Sequence, residues 1–277
     1  MDRRHFIRTG ALATAALSLG ACTNQPHKPE LGVILNTLRK EMRVAPRATL
    51  RRVRALGYRY VEWSDTFGLP RRTLSDMVRE ADLLPVAGGG VMVDMRGDGL
   101  NAYIEQAQAD GKAYVVCYWP WMDEGHGKKL DDGRRLAETL NQMGERCRAA
   151  GLRFAMHNHD KEFARDGGQT VYDAILEGTD PALVTMEMDT YWVARGGADP
   201  VDYLRRYPGR FELMHAKDMA RGAARDKASV GTGVLDFAAV VKLSERAGLR
   251  YAIVEHDGAD DPLASITRSA TYLKTIL

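Results

Sequence analysis

The chain of 277 residues carries 45% hydrophobic and 27% charged residues, with 39 Lys+Arg against 37 Asp+Glu. That is ordinary globular composition, and it excludes a disordered chain, a collagen-like chain and a polytopic membrane protein. A formal charge of +2 asks for no polyanionic partner, and three cysteines (Cys22, Cys117, Cys147) are too few for a disulfide scaffold.

In chain order, the first element is an address rather than part of a fold. Arg3, Arg4 and Arg8 precede an apolar run from Gly10 to Ala21. The run is too short to cross a hydrocarbon core, which takes about 20 residues. A basic start, a short apolar run and a small-residue end describe an export signal. The arginine pair resembles a twin-arginine signal, a receptor-read address. Leu19-Gly20-Ala21-Cys22 resembles the lipobox of bacterial lipoproteins, in which Cys22 is acylated and becomes the new N-terminus. The expectation is an exported, periplasmic protein that meets a membrane only through a lipid anchor. Cleavage removes three arginines and one aspartate and leaves a net charge of zero. Residues 23–30, polar and with two prolines, read as a tether.

From there the chain alternates short apolar runs with longer amphipathic ones. Strands are predicted over 31–36, 58–63, 84–91, 113–119, 153–159, 183–190, 210–218 and 251–257. Helices are predicted over 46–56, 70–83, 99–110, 130–150, 168–177, 199–206, 236–247 and 262–276. Gly57, Gly111, Gly151 and Gly248 stand where helices should end. Parallel strands need helical crossovers, so eight strand-helix units point to a parallel sheet. Closed on itself, that sheet is an α/β fold, a (β/α)8 TIM barrel occupying residues 31–277 as a single domain. The competing open sheet would show a Gly-rich phosphate loop after its first strand; here Asn36-Thr37-Leu38-Arg39 follows instead. Gly88-Gly89-Gly90 lacks a P-loop lysine and reads as a flexible loop or a close-packing site. Cys117 and Cys147 read as buried small apolar residues.

Barrel chemistry sits at the carboxyl ends of the strands, and there the polar residues collect. Strand two ends in Glu62, strand five in His157-Asn158-His159, and strand six in Glu187-Met188-Asp189. Strand seven ends in His215-Ala216-Lys217-Asp218 and strand eight in Glu255-His256-Asp257. Period-two alternation puts His157 with His159, and His215 with Lys217, on one face. Uncompensated buried carboxylates cost several kcal/mol each, and a divalent cation supplies the opposite charge. The leading ligand set is His157, Asp189, His215 and Glu255. Such a mixed set suits one ion of Mn, Co, Zn, Fe or Ni better than calcium.

Five segments carry a family resemblance: MHNHDKEF (156–163), MDTYWVARGGADP (188–200), PGRFELMHAKD (208–218), VGTGVLDF (230–237) and IVEHD (253–257). In this order they resemble the xylose-isomerase-like barrel superfamily, the sugar phosphate isomerase/epimerase group. The resemblance implies a (β/α)8 barrel with one divalent metal at the strand ends. It also implies proton abstraction beside the carbonyl of a ketose or keto-sugar. Asp189 matches the family's strand-six aspartate, His215 its strand-seven histidine and Glu255 its strand-eight glutamate. The strand-five position is often a glutamate in better-known members, where it also serves as an acid/base group; here it is His157. His159 is the alternative strand-five ligand, or faces the substrate.

Metal and base geometry then assign roles. A metal on adjacent substrate oxygens polarises a carbonyl, and a base must lie within hydrogen-bond reach of the α-proton. Glu255 is the first candidate base, with His159 and Lys217 for the opposite proton transfer or for oxyanion stabilisation. Glu62 and Glu162 are candidate acceptors for substrate hydroxyls, although Glu162 equally suits holding the loop after strand five. Trp119, Trp121 and Trp192 offer flat faces to a sugar ring, or act as core lids. Gly231 and Gly233 read as a backbone turn, with Asp236 as a helix N-cap.

The expected activity is a metal-dependent isomerase or epimerase acting on a keto-sugar or keto-glycoside. The alternatives are a lyase or hydratase of 3-keto-glycosides on the same site, and a non-catalytic sugar-binding lipoprotein. The apurinic-endonuclease branch of the fold needs a basic surface facing DNA, which a mature charge of zero does not favour. The expected partner is thus a small carbohydrate and not nucleic acid. The sequence leaves open whether the chain forms a homo-oligomer.

Overall fold

The computed structural model describes residues 28–123 and 125–277. The export signal, Cys22 and residues 23–27 of the tether lie outside the described residues. Glu30, expected to end the tether, opens the first strand.

Eight strands form a closed parallel barrel. They are β1 (Glu30–Ile34), β2 (Tyr60–Glu62), β3 (Leu84–Val91), β4 (Tyr114–Trp119), β5 (Arg153–His157), β6 (Val184–Asp189), β7 (Leu213–Ala216) and β8 (Tyr251–Val254). Each pairs with its neighbour in sequence, and β1 closes the ring by pairing with β8 from Glu30 opposite Tyr251 to Val33 opposite Val254. The expected fold class is therefore the one found.

The helices that cover the strands are α1 (Pro46–Ala55), α2 (Arg71–Glu80), α3 (Gly99–Asp110), α4 (Leu130–Ala149), α5 (Val171–Gly178), α6 (Pro200–Arg206), α7 (Phe237–Lys242) and α8 (Pro262–Ile276). Their local causes are visible in the sequence. In α4 the buried positions Gly133, Leu136, Ala137, Leu140, Met143, Gly144 and Cys147 recur at three- and four-residue spacing, one apolar stripe toward the sheet. Asp199, Asp236 and Asp261 each accept a backbone N–H at the start of α6, α7 and α8. Thr170 and Asp173 make a capping box at α5. The helix predicted over 236–247 breaks at Leu243, and a short turn, Ser244–Ala247, completes it. A further helix, Thr190–Arg195, follows β6 directly and carries Tyr191 and Trp192.

Six predicted strands run past the observed ladder, three of them into candidate site residues. β5 stops at His157 rather than His159, β7 at Ala216 rather than Asp218, and β8 at Val254 rather than Asp257. The residues beyond are polar, and Lys217 beyond β7 pairs with Glu255 and Asp257 beyond β8. The start of the lumen is closed by Tyr60, Tyr114 and Tyr251, whose rings meet edge to face at 5.0 and 6.1 Å. Cys117 and Cys147 are buried free thiols, as expected.

Gly88-Gly89-Gly90 lies inside β3 and is a close-packing site, not a flexible loop. A Cβ on Gly89 would sit 1.7 Å from the carbonyl oxygen of Val116 in β4. Backbone cannot yield as a side chain can, so Gly89→Ala should cost about 3 kcal/mol, the upper range of overpacking. A denaturant midpoint unchanged from wild type would refute that expectation.

Candidate active site

The mouth of the barrel holds a cavity of about 660 Å³. His157, His159, His215, Glu255 and Asp257 line one side; Asn36, Arg39, Arg71, Asp94 and Tyr103 are among those lining the other. Strand alternation places these side chains inward: His157 is opposite Glu187 in the ladder, and Asp189 is opposite His215. His157, Asp189, His215, Glu187 and Glu62 are all buried.

His157 Nδ1 lies 3.0 Å from Glu187 Oε2, and its Nε2 lies 3.8 Å from Asp189 Oδ2. A carboxylate on Nδ1 fixes the tautomer that leaves Nε2 as a free lone pair. Asn158 exchanges hydrogen bonds with the backbone of Asp189, donating to its carbonyl and accepting from its N–H. Asp189 Oδ1 accepts from the N–H of Trp192, while Oδ2 has no hydrogen bond. Burial raises the Asp189 pKa to about 6 against the pull of Lys217.

His215 is the hub. Its Nδ1 is 3.1 Å from Glu255 Oε2, and its Nε2 is 3.2 Å from Glu62 Oε1 and 3.4 Å from Glu187 Oε2. Burial alone would depress this imidazole, but Glu187, Glu62 and Glu255 outweigh it and hold its pKa well above the ordinary value. His157 goes the other way: burial, then His215, drives its pKa well below.

Lys217 lies within 2.8 Å of Glu255, 2.7 Å of Asp257 and 3.5 Å of Asp189. These carboxylates outweigh the cost of its burial and keep it charged. In return Lys217, followed by His215, overcomes the effect of burial on Glu255 and holds that carboxyl well below its usual range. Lys217 thus pairs with Asp189 but not with Asp218, the next residue in the chain. Asp218 instead accepts the N–H groups of Met219, Gly231, Gly233 and Leu235 and ties down the turn after β7.

The remaining expected residues divide. His159 enters the pocket beside His157, its ring 5.1 Å from both Trp119 and Trp192. Burial lowers its pKa to about 4, and its Nδ1 has no partner. Glu62 sits below the mouth, where Tyr118 donates to it at 2.5 Å. Glu162 stands behind the pocket: it accepts from the His159 N–H at 2.6 Å and from the Trp121 indole. It therefore holds the loop after β5, its other expected role, and Trp121 with it is a buried lid.

The donors present suit a divalent ion. His157, Asp189 and His215 bring one ligand atom each within 4.8 Å of one another, and so do Glu62, Glu187 and His215. Buried oxygens without hydrogen bonds on Asp189, Glu62 and Glu187 belong to these same groups, as expected of a set awaiting a cation. Glu255, also expected as a ligand, is in neither group among the described residues; its Oε2 lies 2.8 Å from Lys217 Nζ and 3.1 Å from His215 Nδ1. Glu187 and Asp257 were not singled out from sequence. The signal was there: each lies two residues from a chosen acid, on the same face of its strand or strand extension.

The model of the family described as xylose isomerase-like TIM barrel matches residues 50–276. Inosose dehydratase of Lacticaseibacillus casei is 28% identical over 158 residues, 56% of this chain and 47% of that protein. The chain therefore spans about half the length of that relative. Inosose dehydratase of Clostridium perfringens is 24% identical over 218 residues, 71% of this chain and 68% of that protein. Among solved structures, a sugar phosphate isomerase/epimerase from Parabacteroides distasonis superposes with a TM-score of 0.75 at 24% identity, covering 89% of this chain and 98% of that one. A closed eight-stranded parallel barrel and a family match over most of its length agree: the chain belongs to the xylose isomerase-like TIM barrel family.

Proposed function

We propose that this chain is a divalent-metal-dependent enzyme that removes the proton beside the carbonyl of a keto-sugar or keto-glycoside and then expels the β-substituent. The observation that carries the reading is the Glu255–Lys217 pair, 2.8 Å apart, at the edge of the His157–Asp189–His215 group.

His157, Asp189 and His215 would hold the ion. When bound, it polarises the substrate carbonyl and stabilises the enediolate charge. Glu255, ionised at neutral pH because of Lys217 and His215, takes the α-proton. Lys217 is a fixed positive charge for oxygen charge that develops in the transition state, an arrangement that costs no reorganisation. Its shift toward the substrate oxygen also loosens its hold on Glu255 and raises that carboxylate's basicity. The electron pair of the broken C–H bond forms a carbon–carbon double bond as the β C–O bond breaks. The leaving oxygen receives the proton from Glu255, so water or an alcohol departs and the base is regenerated. His159, neutral at pH 7, lines the pocket and orients the ring, with Trp119 and Trp192 packed against it.

This sequence needs one acid/base group. Epimerisation by two carboxylates needs another on the opposite wall, and the strand-five position that would supply it is His157, both of whose nitrogens face carboxylates. The inosose dehydratases among the relatives support the same direction, since their name describes elimination of water. The mature chain is proposed to work outside the cytoplasm, exported as a folded, metal-loaded protein and held by a lipid on Cys22, with carbohydrate rather than nucleic acid as its partner.

The test is to incubate metal-loaded protein in D2O with a panel of keto-sugars and keto-glycosides. The expected result is loss of substrate with growth of a conjugated carbonyl absorbance and release of water or alcohol. Epimer or ketose–aldose interconversion without a conjugated product would replace elimination by isomerisation. Binding without deuterium exchange would leave a sugar-binding protein.

A further inference from the structure

We propose that the barrel binds a divalent cation at an alternative position, formed by Glu62, Glu187 and His215 and deeper than the strand-end group, the two positions exchanging because they share one imidazole with one lone pair. The inference needs no substrate and goes beyond the proposed reaction. Glu187 precedes Asp189 by two residues on β6, which sets it about 6.6 Å further down the lumen. It faces Glu62 of β2, and both acids lie on the Nε2 side of His215, at 3.4 and 3.2 Å.

Charge separates the two levels. At the mouth, Asp189, Glu255 and Asp257 already have an ammonium among them: Lys217 reaches all three, and Lys227 also pairs with Asp257. Below, the acidic pair has no lysine or arginine partner among the described residues. Glu62 Oε1 is met by the neutral Tyr118 hydroxyl and by His215, and Glu187 Oε2 by His157 and His215. Glu62 Oε2 and Glu187 Oε1 are left buried with no hydrogen bond. Both residues are fully buried. Burial, and then Glu62 facing it, hold the Glu187 carboxyl well above its usual range, so the pair is held by a proton that a divalent cation would displace. One oxygen of each acid and the His215 imidazole lie within 4.8 Å of one another, close enough to hold that cation. The arrangement leaves the other oxygen of Glu187 free to keep orienting His157.

The donor chemistry also differs between levels. Two imidazoles and one carboxylate at the mouth suit zinc, cobalt, nickel or iron. Two carboxylates and one imidazole below are a harder set and suit manganese. The deep position should therefore fill with Mn²⁺ without the mouth ligands.

The test uses the metal alone. Full-length protein is stripped, reloaded with Mn²⁺, desalted and assayed by elemental analysis, and crystals are measured at the manganese edge for anomalous scattering. Asp189→Asn should still retain one Mn²⁺ per chain, with an anomalous peak between the carboxyl groups of Glu62 and Glu187. Adding Glu187→Gln to that variant should abolish retention while thermal unfolding stays cooperative. Absence of Mn²⁺ from Asp189→Asn overturns the proposal. If Asp189→Asn does not fold, the wild-type anomalous map decides: a peak confined to His157 and Asp189, with none at Glu62 and Glu187, overturns it equally. Metal at the deep position in a protein that turns over no keto-sugar would sink the proposed reaction and leave this site standing.

Discussion

Replacing His215 with alanine is expected to strip the chain of divalent metal and to lower its melting temperature by roughly 10 °C. Both groups able to hold an ion share this imidazole, so neither keeps three protein ligands without it. The stability loss has a separate cause. His215 is fully buried and stands between Glu62, Glu187 and Glu255. Its removal leaves three carboxylates around a hole without the positive charge that faced them. Breaking a buried pair by deleting one partner costs about 3–5 kcal/mol, and for a domain of this size each kcal/mol moves the midpoint by about 2–4 °C. Elemental analysis and a melting curve on the same preparation check both halves. Metal retained at the wild-type level would show that the ligands lie elsewhere.

Glu255→Gln is expected to do the opposite: to keep the metal and the fold but to slow α-proton exchange by about 10³-fold, the middle of the range for a lost general base. Glu255 is in neither ligand group, and Lys217 keeps Asp257 at 2.7 Å and Asp189 at 3.5 Å as counter-ions. The amide fills the same space and still accepts a hydrogen bond from Lys217, but it cannot take a proton. Exchange of the substrate's α-proton measured by NMR in D2O, beside metal content, separates this outcome from a ligand role. Loss of metal together with activity would return Glu255 to the coordination shell.

These two residues show where sequence reading reached and where it stopped. Alternation of apolar runs and amphipathic stretches, with glycines at helix ends, was enough for eight strands and eight covering helices, because burial on one face is a local pattern. The same alternation brought His157, Asp189, His215 and Glu255 to strand ends, and the first three do converge. It did not show that Lys217 meets Glu255, whose carboxylate its ammonium reaches across the mouth to pair with, a contact set by barrel closure and not by spacing. Glu162 is a second case: residue type and position suggested either a hydroxyl acceptor or a loop brace. The Trp121 indole and the His159 N–H, both on its carboxylate, decide for the brace.

What the linear chain determined by itself is the barrel and the chemical kinds of side chain at its mouth, since periodicity and residue type act over one or two turns. Only the tertiary structure decided which acids meet a lysine and which are left facing each other. Glu62 and His215 are 153 positions apart in the chain, and their side chains meet at 3.2 Å. Electrostatic energy depends on such distances, and they exist only once β1 has closed against β8.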